Sequence, residues 1–226
     1  NSEVGHLNIG AGRVVYQDIT AIDQKILSGE FAANVVLKEA MTKAKKQGVL
    51  HLMGLVSDGG IHSHMRHLVA LLQEAKAAGV GEVYLHCFTD GRDTLPESGY
   101  GFIQQLQQSC AEIGVGKIAT VMGRYYAMDR DQRWDRTQKA YQAMVYGEGN
   151  LVQDPLTAIQ NAYAQGVTDE FLEPMVVAGE KGQPMAQIKA GQPVIFFNFR
   201  SDRARQISRA FTEVDFTGFH RGDAAP

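Results

Sequence analysis

The chain has 226 residues, 44% of them hydrophobic and 21% charged, with a formal net charge of −3. That length can bury the core of one large domain or two small ones. The charge balance lacks the basic excess that binding a nucleic-acid backbone requires, and no run approaches the roughly 20 apolar residues of a membrane-spanning helix.

No secretory signal pattern is visible, and the chain opens at Asn1, without Met and inside a motif-like run, which suggests a piece of a longer protein. Residues 1–13, NSEVGHLNIGAGR, combine Ser2 with Gly5, Gly10 and Gly12. Such a run could cradle a phosphate or act as a hinge. Its spacing matches neither a P-loop nor the dinucleotide fingerprint, and on local grounds the hinge is the stronger reading.

Thr20 is placed to cap a short helix reaching residue 27, and a second helix is expected over 34–47, ended by Gly48. Strands are then expected over 49–56, 83–88, 117–122 and 194–197, each followed by a polar loop and an amphipathic helix. Between the last two strands, residues 155–164 read as a helix and 174–178 as a short strand. Residues 179–193 read as loop, with room for a hairpin. Residues 217–226 read as linker. Cys87 and Cys110 lie in apolar patterns and read as buried free thiols of a reducing cytoplasm.

Strands alternating with helices imply right-handed crossovers and a mainly parallel sheet. In such a sheet every strand-to-helix loop lies on one edge, where open α/β sheets place ligands. The loops beginning at Ser57, Thr89, Met122 and Asn198 should therefore converge. They carry His62, Arg92, Asp93, Arg124, Arg130, Arg200 and Arg203, with Asp58, Asp90, Asp129 and Asp202 among them. Arginine suits planar, bidentate recognition of phosphate or carboxylate, and helix N-termini add partial positive charge. A cleft of this kind suits a small, doubly charged anion. Asp93 is placed to hold a hydroxyl or to shuttle a proton. Arg133, Arg136, Arg205 and Arg209 lie further into helices and read as solvated or structural. His62, His64 and His67 have a spacing zinc can use, but no cysteine or evident carboxylate completes the set. His64 and His67 read better as helix-start residues, and His51 and His86 as strand residues. Tyr125 and Tyr126 read as packing, and Asp58 as the cap of the turn at Gly59-Gly60.

Five stretches, NSEVGHLNIGAGR, SDGGIHSH, DGRD, GRYYAMDRD and NFRSDRAR, closely resemble the cofactor-independent phosphoglycerate mutase family. The match runs in the family's order from Asn1 to about residue 211. The resemblance implies an α/β domain with three layers, helices on both faces of a mainly parallel, mixed sheet that can curl strongly, inserted into a two-domain enzyme. Residues 1–13 would be the nucleophile segment and hinge, 14–216 the substrate-binding or phosphotransferase domain, and 217–226 a linker. The family's second domain resembles alkaline phosphatase and carries nearly all ligands of two manganese ions.

In the family the serine of the first motif is both nucleophile and metal ligand, which falls on Ser2. The substrate-binding histidine falls on His62, the arginine–aspartate pair on Arg92 and Asp93, and the remaining clamps on Arg124, Arg130, Arg200 and Arg203. The implied reaction interconverts 3-phosphoglycerate and 2-phosphoglycerate through a phosphoserine, without bisphosphoglycerate, in a cytoplasmic monomer of glycolysis. The chain alone is expected to bind substrate without turnover. An isolated anion-binding module and a phosphatase of the alkaline-phosphatase superfamily are the alternatives, separated by metal dependence and by whether free phosphate is released.

Overall fold

The computed structural model describes residues 9–10 and 17–222. Three helices come first: α1 (Asp18–Ser28), the single turn α2 (Glu30–Ala33) and α3 (Val35–Gln47). Asn34 caps α3, accepting from Leu37 N through its side chain, and Gly48 ends it at φ 77°. The rhythm that follows is β1 (Val49–Leu55), α4 (Met65–Ala78), β2 (Glu82–Thr89), α5 (Gly99–Ile113) and β3 (Lys117–Gly123). Next come the one-turn α6 (Arg124–Ala127), α7 (Trp134–Val145), β4 (Asn150–Val152), α8 (Pro155–Ala164) and a 3-10 turn at Asp169–Phe171. The short strands β5 (Met175–Val177) and β6 (Val194–Phe196) and the helix α9 (Arg205–Thr212) complete the described elements.

The strands form one sheet in the order β4-β5-β3-β2-β1-β6. β6, β1, β2 and β3 run parallel, while β5 is antiparallel to β3 and carries β4 beside it, so the sheet is mixed. Side chains alternate between two cores, as period-two geometry demands of strands covered on both faces. Leu50, Leu52, Val83, Leu85 and Ile118 face a core closed by α3, α4, α5 and α8. Met53, Leu55, Phe88 and Met122 face the other, closed by α7 and α9. Each fully buried Leu or Met contributes about 1.5–3 kcal/mol. The three-layer expectation holds. Val35 and Val36, at the start of α3, are exposed.

Residues 217–222 are more than linker. Phe219 packs edge-on against Trp134, Tyr141 and Phe216, and the Tyr146 hydroxyl donates to the Arg221 carbonyl, tying this segment to α7.

A polar chain crosses the sheet interior. Gln192 Oε1 already accepts from Lys189 N, so His51 Nε2 donates to it at 3.0 Å. His51 Nδ1 must then accept from His86 Nε2 (3.1 Å), and His86 Nδ1 from the Thr120 hydroxyl (3.0 Å). Each hydrogen bond holds one proton, and a second proton on His51 would set its Nδ1–H against the His86 Nε2–H. Burial holds both histidines well below the usual range, His51 at about 4. The unfolded chain therefore takes up protons the fold refuses as pH falls below about 6.5, and stability falls with it. The cost from His51 alone reaches about 3 kcal/mol at pH 4. NMR titration should show the His51 and His86 imidazoles silent between pH 8 and 5. A normal titration of either near neutrality would refute the directed chain.

Candidate functional site

The four parallel strands deliver their following loops to one sheet edge, and Arg124, the first residue after β3, stands at its centre. Its side chain is 4% exposed. Nη1 donates to Asp90 Oδ1 (2.7 Å) and to Asp93 Oδ2 (2.6 Å), and Nη2 donates to His62 Nε2 (3.0 Å). One guanidinium thus ties the loops after β1, β2 and β3. Asp90 is as buried as its partner. Burial raises its carboxyl pKa, but donation from Asp93 N, the Ser57 hydroxyl (2.7 Å) and Arg124 outweighs burial and holds the group below the usual carboxylate range. Asp93 gives one oxygen to Arg124, and its Oδ1 carries no hydrogen bond among the described residues.

His62 is the neutral member of the site. Burial first, and the adjacent Arg124 charge second, push its pKa down to about 4. A guanidinium has no acceptor, so Nε2 must be the bare nitrogen and Nδ1 must carry the proton. That Nδ1–H is buried and has no hydrogen-bond partner among the described residues. The nearest carboxylate oxygen, Asp202 Oδ1, stands 3.8 Å away.

The remaining arginines form the rim. Arg130 Nη1 donates to Asp202 Oδ2 (3.0 Å), and Arg200 grips both Asp202 oxygens through Nε and Nη2 (2.9 and 3.1 Å). Arg203 Nη1 donates to the Met128 carbonyl (3.0 Å) and makes no ion pair among the described residues. Burial and then the charges of Arg124, Arg130 and Arg92 lower its pKa, so the electrostatics ask for an anion beside it. Arg92 pairs outward with Glu170 at 3.3 Å.

Glu170 arrives on the 3-10 turn, which is pressed against two glycines. A Cβ on Gly123 would overlap the Glu170 carbonyl, and one on Gly91, at φ 69°, would lie 2.9 Å from Glu170 N. Asp169 beside it accepts from Gly99 N (2.7 Å) and the Tyr163 hydroxyl, and burial raises its carboxyl pKa to about 6.

Residues 22–226 match the family model described as the N-terminus of BPG-independent PGAM. The chain belongs to this family. It is 54% identical over 222 residues to the 2,3-bisphosphoglycerate-independent phosphoglycerate mutase of Moorella thermoacetica, covering 98% of this chain and 43% of that protein. The enzyme of the same name from Clostridium beijerinckii is 57% identical over the same shares. A crystal structure of Leishmania mexicana phosphoglycerate mutase, solved at low cobalt concentration, superposes with a TM-score of 0.90 at 33% identity, over 98% of this chain and 42% of that one. The chain therefore spans less than half the length of these relatives.

The fold brings together His62, Asp93, Arg124, Arg130, Arg200 and Arg203, and sets Arg92 at the margin. Ser2, and with it the nucleophile segment, lies outside the described residues. Asp93 turns inward to Arg124 and Arg92 outward to Glu170. Two loop expectations need correction. The turn at Gly59 is capped by the Ser57 hydroxyl rather than by Asp58. Asp129 is no cleft group: it is buried, holding Asp131 N, Arg133 and Gln206.

His64 does start α4, accepting from Arg66 N, and His67 lies in its first turn against Asp23. Tyr125 packs on Tyr126 and Phe171 beneath Arg136. The supporting roles of Ser57 and Glu170 went unread, although a buried carboxylate in a loop always needs donors.

Arg124→Ala in this mutase-family chain should cost about 3–5 kcal/mol, because it strands the Asp90 charge in the interior. Adding Asp90→Asn should restore much of that loss in denaturant unfolding. A double variant no more stable than the single one would show that the pair does not organise the edge.

Proposed function

We propose that this chain is the substrate-binding part of a phosphoglycerate mutase, which interconverts 3-phosphoglycerate and 2-phosphoglycerate through a phosphoserine at Ser2. The observation that carries the reading is Arg203, a guanidinium with no ion pair among the described residues and in the field of Arg124, Arg130 and Arg92, in the same loop cluster as a His62 Nδ1–H that has no hydrogen-bond partner among the described residues. A phosphorylated hydroxy acid answers each need: its anionic groups take the cations, and one oxygen accepts from His62.

The division of labour follows from the geometry. Arg124 does not bind first; it fixes Asp93 and His62 from behind, so both are orientated before the ligand enters. Asp93 keeps Oδ1 open for a glycerate hydroxyl, where it takes the proton when that oxygen attacks phosphorus and returns one when that oxygen leaves. The arginines hold glycerate between the two transfers. Losing it would convert transfer into hydrolysis, since water would then take the phosphoryl group from the serine.

Manganese belongs to this reading through the family. Among the described residues no cluster of His, Cys, Asp and Glu could hold a metal ion, and no step here runs through one. Turnover on this reading needs the length of the relatives that this chain does not span. The cytoplasmic setting and monomeric state remain part of the proposal. No described helix is long and apolar enough to cross a membrane, and both cysteines are free and buried.

In the intact protein, 3-phosphoglycerate should yield 2-phosphoglycerate, and Ser2→Ala should abolish both product and phosphoprotein. Release of free phosphate alone would replace the mutase reading with a phosphatase. Arg203→Ala should weaken 3-phosphoglycerate binding by roughly 10- to 100-fold, the worth of a charge-assisted contact. Unchanged affinity would remove Arg203 from the site.

A further inference from the structure

Asp202 is the one carboxylate that sits where the ligand's own negative charge is wanted. Arg130 and Arg200 both donate to it, Arg200 through two nitrogens, and the unpartnered His62 Nδ1–H faces it at 3.8 Å, beyond hydrogen-bond reach. The donors come from three loops: His62 from the loop after β1, Arg130 from the loop before α7, and Arg200 from the loop after β6. Three converging donor side chains around one carboxylate are the arrangement a bound anion would have. Yet Asp202 fits it imperfectly, because it leaves the histidine unsatisfied. Its side chain is 31% exposed, and its two arginine partners are about half exposed, so all three can move without opening the core. Asp90 on Arg124, 1% exposed, has no such freedom.

We infer that Asp202 is a built-in surrogate for the ligand's anion, which holds Arg130 and Arg200 in the empty site and is displaced when the ligand binds. The inference rests on the anion-binding reading above and adds to it an element that sets how readily the empty site takes an anion. The surrogate sets a threshold that every anion must overcome to reach the arginines. A small anion such as sulfate gains little beyond those contacts, whereas 3-phosphoglycerate also gains contacts at Arg203 and Asp93. Removing the Asp202 charge lowers the same threshold for both, so both should bind more tightly by a similar factor.

The test is calorimetric titration of the intact protein and its Asp202→Asn variant with sulfate and with 3-phosphoglycerate. Sulfate and 3-phosphoglycerate should both bind the variant more tightly, each by roughly tenfold. Asp202→Glu, which keeps the charge, should retain the lower sulfate affinity. Weaker binding of both ligands by Asp202→Asn would make Asp202 a mere support for the arginines and overturn the inference, and so would unchanged sulfate affinity. If the variant does not fold, the unaltered protein decides: saturation with sulfate should shift the Asp202 carboxyl carbon signal, and an unmoved signal refutes displacement. Failure of the wild type to prefer 3-phosphoglycerate over sulfate would instead sink the mutase reading, while the sulfate comparison still judges Asp202.

Discussion

The structure of the site depends on one buried ion pair, Arg124 with Asp90, whose side chains are 4% and 1% exposed. Neither charge is tolerable there alone, since stranding one costs several kcal/mol. Such a pair is a poor source of stability, because desolvation consumes most of the Coulomb gain. What it imposes is position. Asp90 follows β2 and Arg124 follows β3, and strands that pair in a sheet hold their termini about 5 Å apart. The remaining hydrogen-bonding capacity of the two groups then recruits Ser57 and His62 from the loop after β1 and Asp93 from the loop after β2. Three loops become one surface because a single guanidinium cannot be satisfied by fewer.

The same constraint decides the protonation of His62. A histidine beside two carboxylates would ordinarily gain a proton. Here burial and the arginine next to it win, and the ring stays neutral with its bare nitrogen toward Arg124. Its proton is thereby directed to the open side, where nothing in the described chain accepts it. An unsatisfied buried donor is unfavourable to the fold, and so is Arg203 among other cations. Local conflict of this kind concentrates at functional sites, where a ligand rather than the fold resolves it.

Much of this was legible in the sequence, and the limits have physical causes. The alternation of long apolar strands with amphipathic helices is a local signal, so the parallel sheet and its convergent loops could be read without contacts. β4 spans three residues, too few for a period to show, and no strand was expected there. Glu170 and the tight approach of Gly123 were beyond reach because they depend on where the chain returns after α8, some 50 to 80 positions away. The aromatic residues after α9 looked like linker because a run with several Gly and charged residues has no periodicity. Only the exposed face of α7 shows what they cover.

The arginines fall into a gradient that bears on how an anion is chosen. Arg124 is rigid and saturated with partners, and it forms the floor. Arg92, Arg130 and Arg200 are about half exposed, with one carboxylate partner each, and they form a rim able to rearrange at little cost to the core. Arg203 lies between them, partly buried and without a carboxylate. A uniformly rigid ring of cations would repel itself when empty, and a uniformly mobile one would lose side-chain entropy on every encounter. Anchoring the floor with the buried Asp90 and leaving the half-exposed rim arginines to Asp202 and Glu170 limits both costs. It also places geometric discrimination at His62 and Asp93, the two groups the floor holds still.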